Sequence, residues 1–193
     1  MMAVSTAGPQ LGRKAAFVDR DGVINVESGY PYRVEDFVFL PGAIEGLQRL
    51  QAAGYLLVVM TNQSGIARGL YTEADYERLT DYMRQRLLAA GVQLSAVEHC
   101  PHLPDADIAR YRLDCNCRKP RPGMLERAAA ALNIDLSASI LVGDRATDIQ
   151  AGRSAGVGRC WLVRSGVALS QSDIELADAV FDDLAACARQ LPG

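Results

Sequence analysis

The chain has 193 residues and 49% hydrophobic content, enough to bury one well-developed core. Its 20 Lys and Arg face 23 Asp and Glu, and the formal net charge of −3 gives no basic surface for nucleic acid or an anionic membrane. No apolar run approaches the roughly 20 residues that span a bilayer. Met1–Lys14 lacks the apolar stretch of a signal peptide and reads as a loose leader before one domain over residues 15–193, so a cytoplasmic protein is expected. Ala15–Val18 reads as a short buried strand, followed by a long loop, Gly22–Pro41, that carries Tyr30, Tyr32, Phe37 and Phe39. Ile44–Ala53 has helical periodicity closed by Gly54, and Tyr55–Met60 is the next apolar strand. Thr72–Ala90 is a longer helix, with Thr72 as cap, Asp75 three residues on and Gly91 closing it. Val97-Glu98 is a brief strand, and Pro122-Gly123 opens an alanine-rich helix to Leu132. Strand Ile140–Val142, helix Asp148–Ala155, strand Cys160–Val163, edge strand Ala179–Phe181 and helix Leu184–Gln190 complete the chain. Such alternation predicts an α/β fold: a mostly parallel sheet with helices on both faces.

Polar residues gather where the strands should end. Asp19-Arg20-Asp21-Gly22 follows the first strand directly. Residues i and i+2 of an extended segment share a side, so Asp19 and Asp21 face one site and Arg20 points away. Two such carboxylates suit a divalent, oxygen-seeking cation such as Mg²⁺, or a division of labour between nucleophile and general acid. An acidic turn is the plain structural alternative. Downstream, Tyr55–Met60 leads into Thr61-Asn62-Gln63-Ser64-Gly65, and Ile140–Val142 into Gly143-Asp144-Arg145-Ala146-Thr147-Asp148. Between them, Arg118-Lys119-Pro120-Arg121-Pro122-Gly123 precedes a helix. Each alone is an ordinary surface turn, and their order is what carries information.

Strand-Asp-x-Asp, strand-Thr, Lys, then strand-Gly-Asp-x-x-x-Asp resembles the haloacid dehalogenase superfamily of phosphohydrolases, over Ala15 to Gly156. The resemblance implies a Rossmann-like sheet and phosphoryl transfer through an aspartyl-phosphate. In that mechanism Asp19 attacks phosphorus, and Asp21 exchanges a proton with the leaving oxygen and then with water. Mg²⁺ is held by the Asp19 carboxylate, the Asp21 main-chain carbonyl and Asp144. Thr61 and the Asn62 amide contact the phosphoryl oxygens, and Lys119 adds a fixed positive charge. Asp148 is expected to orient the metal shell or cap its helix rather than bind directly. The segments between motifs are used up by ordinary elements, so a capless, open site with recognition by loops is expected.

Five cysteines and two histidines are present, and three of the cysteines with both histidines fall between His99 and Cys117. Cys100, His102, Cys115 and Cys117 form a closed Cys₃His set suited to a structural, tetrahedral Zn²⁺. The structural alternative is a pair of reduced buried thiols beside a surface histidine. His99 is left as a spare, and Cys160 and Cys187 read as small core residues.

A capless phosphohydrolase with a zinc loop resembles the heptose-bisphosphate and histidinol-phosphate phosphatases. Thr61–Gly69 and Cys117–Met124 look like the heptose group, whereas Gly143–Gln150 looks closer to the histidinol group. A bisphosphate keeps an anion far from the reacting centre, which suits Arg68, Arg118 and Arg121, while Arg145 is placed to help with either phosphate. Histidinol phosphate carries an amine instead, for which Glu27, Glu35 and Asp36 are available. The function implied is Mg²⁺-dependent removal of the C7 phosphate of D-glycero-D-manno-heptose 1,7-bisphosphate in lipopolysaccharide core precursor synthesis, with histidinol phosphate as the alternative substrate. The reading from another class is a catalytically inactive, zinc-stabilised binding module, which has no need of Asp19, Asp21, Thr61, Lys119 and Asp144 together. A monomer acting on a small phosphorylated sugar, without nucleic-acid or membrane partner, is expected.

Overall fold

Ala15–Val18 forms the central strand β1, buried along its whole length. The computed structural model describes residues 12–191, in which β1 is joined by β2 (Leu56–Asn62), β3 (Leu94–Cys100), β4 (Ile140–Gly143), β5 (Arg159–Val163) and β6 (Ala179–Phe181). All five pairings are parallel, in the order β3-β2-β1-β4-β5-β6. Seven α-helices accompany them among the described residues: α1 (Ala43–Ala52), α2 (Ser64–Ala67), α3 (Glu73–Ala89), α4 (Gly123–Leu132), α5 (Ala146–Ala155), α6 (Gln171–Leu176) and α7 (Leu184–Ala188).

Strand alternation divides the interior into two cores. Ala16, Val18, Leu57, Val59, Ile140, Val142, Trp161 and Val163 face Leu47 and Leu50 of α1, Leu79 and Met83 of α3, and Leu184 of α7. Ala15, Phe17, Val58, Met60, Leu141 and Leu162 face Met124 and Leu125 of α4 and Ile149 of α5 on the other side. Both faces are therefore covered, as a parallel sheet requires. The chain runs outward from β1 to β3 and returns to β4, so β1 and β4 diverge at a topological switch point, where open α/β sheets bind ligands beyond the strand ends.

The structure differs from the sequence reading in definite places. β3 is longer than Val97-Glu98; it is an edge strand, only partly buried over most of its length, so Leu94–Cys100 shows no clean alternation. α5 begins at Ala146 rather than Asp148, because Asp148 is its capping acid: the Arg145 N–H donates to Asp148 Oδ2 at 3.0 Å. α7 ends at Ala188. α2 and α6 are additional; α2 is a single turn containing Gly65, and α6 buries no residue, so neither carries a hydrophobic period. The leader reading falls mostly on residues 1–11, outside the described residues. Arg13 and Lys14 are tied into the fold: Arg13 N–H donates to Asn133 O at 2.8 Å, and Lys14 O accepts from Leu56 N–H at 2.9 Å.

The α3 cap is as the spacing predicts. Asp75 N–H donates to Thr72 Oγ1 at 3.2 Å, and Thr72 N–H donates to Asp75 Oδ2 at 2.8 Å. Thr72→Ala removes the first of these, so we expect a loss of about 1 kcal/mol of unfolding free energy, read as a lower urea midpoint at unchanged slope.

Candidate active site

The ends of β1, β2 and β4 open into a cavity of about 730 Å³. Asp19, Asp21, Thr61, Asn62, Arg68, Arg118, Lys119, Asp144 and Arg145 all line it. Arg121 does not: its guanidinium turns back to Cys115 O at 2.9 Å and to Asp114 Oδ2 at 2.8 Å, which stiffens the cysteine loop instead. Arg20, expected to point away, is buried and folds back onto Asp21, giving Nε to Oδ1 at 3.1 Å and Nη2 to Oδ2 at 2.9 Å.

Three carboxylates, Asp19, Asp144 and Asp148, each offer an oxygen within 4.8 Å of the others. Lys119 Nζ bridges two of them, at 2.9 Å from Asp19 Oδ1 and 2.6 Å from Asp148 Oδ1, and donates to Met60 O at 3.2 Å. The lysine is clamped from behind by the Asn62 side chain, whose Nδ2 donates to Lys119 O and whose Oδ1 accepts from Lys119 N–H, both at 3.1 Å. Burial alone would lower the Lys119 pKa, but Asp148 and Asp19 together outweigh it and hold it above its ordinary value. Burial raises Asp19 well above the usual carboxylate range; Lys119 opposes this, while Asp148 and Asp144 add to it. Asp144 is pushed up to about 6, chiefly by burial, with Asp148 adding to the shift.

These groups fit a divalent cation. Asp144 Oδ1 is buried with no hydrogen-bond partner, its ion pair with Arg145 Nε being 3.8 Å long, and one buried lysine with this half-exposed arginine leaves the three carboxylates under-compensated. The backbone is shaped around Asp144 as well: Gly22 sits at φ +84°, and a Cβ there or at Gly166 would collide with Asp144 Oδ2. Val167 N–H donates to that oxygen at 3.3 Å, and Ser165 Oγ closes the loop onto Gly22 O at 2.9 Å.

Residues that sequence reasoning passed over complete the surroundings of Asp21. Asn25 Nδ2 donates to Asp21 Oδ1 at 2.9 Å, Gln63 Nε2 donates to Asp21 Oδ2 at 3.0 Å, and Tyr71 OH donates to Gln63 Oε1 at 2.5 Å. Gln63 lay inside a quoted motif, whereas nothing local marks Tyr71.

Beside the cavity, Cys100, His102, Cys115 and Cys117 converge. Their sulfur–sulfur separations are 3.1–3.4 Å, and His102 Nδ1 lies 3.3 Å from Cys117 Sγ and 3.7 Å from Cys100 Sγ. A Zn–S bond of about 2.3 Å sets a tetrahedral sulfur–sulfur edge of about 3.8 Å, so the sulfurs sit about half an ångström closer than around a bound ion, while the Cys₃His donor set itself is compatible with zinc. His99 is outside the cluster, its ring 4.2 Å from that of Tyr76. Cys160 and Cys187 are buried in the cores.

Sheet order together with acidic strand ends gathered around a buried lysine defines the class: a HAD-like phosphohydrolase. Residues 116–187 match the family model described as "HAD-hyrolase-like". The D-glycero-alpha-D-manno-heptose-1,7-bisphosphate 7-phosphatase of Photorhabdus laumondii is 48% identical over 153 residues, 79% of this chain and 84% of that one. The D-glycero-beta-D-manno-heptose-1,7-bisphosphate 7-phosphatase of Escherichia coli K12 is 45% identical over 171 residues, 89% of this chain and 90% of that one. A crystal structure of D,D-heptose 1,7-bisphosphate phosphatase from B. bronchiseptica, complexed with magnesium and phosphate, superposes with a TM-score of 0.78 at 36% identity, covering 92% of this chain and 97% of that chain. The chain belongs to the heptose-1,7-bisphosphate 7-phosphatase family of HAD-like hydrolases. Among the described residues no helix is long and apolar enough to cross a membrane.

The strain around Asp144 has a measurable sign. A carboxylate raised by folding stabilises the metal-free protein below about pH 4, and that contribution is gone once the pH passes about 6. At pH 7.5 without divalent cations, Asp144→Asn is therefore expected to be more stable than the parent by about 1–3 kcal/mol. Added Mg²⁺ should raise the melting temperature of the parent and leave that of the variant unchanged, as read by thermal denaturation.

Proposed function

We propose that the protein is a Mg²⁺-dependent phosphatase that removes the C7 phosphate of D-glycero-D-manno-heptose 1,7-bisphosphate through an aspartyl-phosphate on Asp19, in the supply of lipopolysaccharide core precursors. The observation that carries this reading is the Lys119 bridge between Asp19 and Asp148 at the floor of a cavity also lined by Arg68, Arg118 and Arg145.

Asp19 Oδ attacks phosphorus as the bond from phosphorus to the C7 oxygen breaks, and Asp21 delivers a proton to that oxygen. Asp21 then takes a proton from the water that displaces Asp19 from phosphorus, which regenerates both carboxyl groups. Thr61 and the Asn62 main-chain amide hydrogen-bond the phosphoryl oxygens, and Lys119 balances their charge, the electrostatic positioning on which phosphoryl transfer depends. Asp19, Asp144 and the Asp21 main-chain carbonyl would hold Mg²⁺, which supplies Lewis-acid neutralisation of the transferring group. Cys100, His102, Cys115 and Cys117 would hold Zn²⁺, with no position left for substrate, so its role is to pin the loop that presents Arg118 and Lys119.

At the cavity rim, Arg68, Arg118 and Arg145 suit the distal C1 phosphate. Glu35 and Asp36, which would suit the amine of histidinol phosphate, are not among the residues lining the cavity, and Glu27, which is, lies 3.5 Å from Arg145. Both sets of contacts favour the bisphosphate. The enzyme acts on this small sugar as a cytoplasmic monomer in this reading, with residues 15–193 as its one domain.

Asp19→Asn is expected to lower turnover at least about 10³-fold while the melting curve stays cooperative, and near-parental activity would remove Asp19 as nucleophile. In a phosphate-release assay with Mg²⁺, kcat/KM for the bisphosphate should exceed that for histidinol phosphate by about 100-fold, with the C1 phosphate retained. Metal analysis of protein purified without chelator should give about one zinc per chain, and stripping it should lower the melting temperature.

A further inference from the structure

Asp21 is held by four N–H donors, two on each oxygen. Oδ1 accepts Arg20 Nε at 3.1 Å and Asn25 Nδ2 at 2.9 Å; Oδ2 accepts Arg20 Nη2 at 2.9 Å and Gln63 Nε2 at 3.0 Å. Two of the three side chains that donate them are fixed. Arg20 is a buried fork, and Asn25 is buried with its amide also on Val26 O at 3.0 Å. Gln63 differs, because the same Nε2 also donates to Thr61 Oγ1 at 2.7 Å, so its amide already has a second acceptor. Its orientation is set from the far side by Tyr71 OH, which donates to Gln63 Oε1. A flipped amide would turn Oε1 toward the Asp21 carboxylate. Tyr71 is itself fixed by stacking on Tyr32, with ring centroids 5.3 Å apart and planes 10° apart. Burial raises the Tyr71 phenol above its ordinary value, so it remains a donor.

We propose that Gln63, held in register by Tyr71, is the positioning residue that aims Asp21 at the leaving oxygen. The inference rests on the assignment of Asp21 as general acid. With three donors fixed, Gln63 is the one whose contact can give way to a proton on Asp21 Oδ2, which keeps Arg20 Nη2 as its other donor. When the bond from phosphorus to the sugar oxygen breaks, the Asp21 Oδ2 proton passes to that oxygen, and the Gln63 amide hydrogen returns to the bared carboxylate. The same amide keeps the Thr61 Oγ1 acceptor side occupied, which leaves the Thr61 hydroxyl hydrogen free for a phosphoryl oxygen.

The two contacts predict different kinetics. A fault in Asp21 matters only where the leaving group needs a proton, whereas a fault in Thr61 weakens phosphate binding for every substrate. The experiment measures kcat/KM, which reports steps through phosphoryl transfer to Asp19, for heptose 1,7-bisphosphate and for p-nitrophenyl phosphate, whose phenolate leaves without a proton. Tyr71→Phe keeps the ring stack and deletes only the hydroxyl, while Gln63→Leu deletes the amide and reads the same relay if Tyr71→Phe folds poorly. Tyr71→Phe is expected to lose about 10-fold on the sugar and less than about 3-fold on the aryl ester, with a wider gap for Gln63→Leu and one of about 100-fold or more for Asp21→Asn. Equal losses on both substrates, or none, in Tyr71→Phe and Gln63→Leu overturn the inference while a discriminating Asp21→Asn leaves the acid assignment standing. Failure of Asp21→Asn itself to discriminate overturns that assignment and the inference with it.

Discussion

Three carboxylates gathered within 4.8 Å around a single buried lysine are the arrangement on which the rest of this structure depends. Charges taken out of water are costly, and like charges side by side more so, which is why Asp19 and Asp144 are both raised. No side chain would choose this arrangement alone. It is imposed by backbone: β1 and β4 are adjacent parallel strands, Asp19 N–H donates to Val142 O at 3.0 Å, and Asp144 lies one residue past the end of β4. Once the register of those strands is set by buried Phe17, Val18, Leu141 and Val142, the acids have nowhere else to go. Stability made in the cores offsets a site that opposes folding until a cation balances it.

Lys119 is the counterweight, and its position depends on the cysteine loop. β2 and β3 pair Asn62 with Cys100, Gln63 N–H donates to Cys100 O at 2.8 Å, and the Asn62 side chain grips the Lys119 backbone at both its N–H and its carbonyl. Cys117, two residues before Lys119, returns to Cys100 at 3.1 Å. The circuit from Cys100 through Asn62 and Lys119 to Cys117 joins the cysteine–histidine cluster to the aspartate cleft in a few bonds. A loop with little core of its own thereby acquires the rigidity that a bridging lysine needs.

Much of this was legible in the residues because strand ends advertise themselves: an apolar run that stops at an acid, as at Val18-Asp19 and Gly143-Asp144, marks both the element and the site. Thr72 with Asp75, and the Cys₃His spacing, were equally local signals. What stayed hidden was set by tertiary contact. By strand parity Arg20 points away from Asp21, but the chain turns at Gly22, φ +84°, and parity lapses where the strand does. Arg121 looked like an anion ligand by composition, yet Asp114 and the Cys115 carbonyl claim it. Ser170-x-x-Asp173 was a capping signature that could have revealed α6, whereas α2 and the role of Tyr71 have no sequence period at all.

The absence of balance in the cavity also bears on how an open site selects its substrate. Six acids and four bases line it, so the metal-free cleft repels a bisphosphate as a whole even though arginines stand at its rim. Part of that basic rim is already engaged: Arg145 lies 3.5 Å from Glu27 and 3.8 Å from Asp144. A singly charged ligand gains little by displacing such contacts, since each half-exposed pair is weak but replaces like with like. A phosphate offers planar arginine two oxygens and a higher charge, so it competes where a carboxylate-sized or neutral group does not. In the proposed reading, then, selectivity without a cap comes from the requirement that two anionic ends be satisfied together, one at the aspartates once their charge is balanced and one at the rim. A monophosphate can meet only half of that condition.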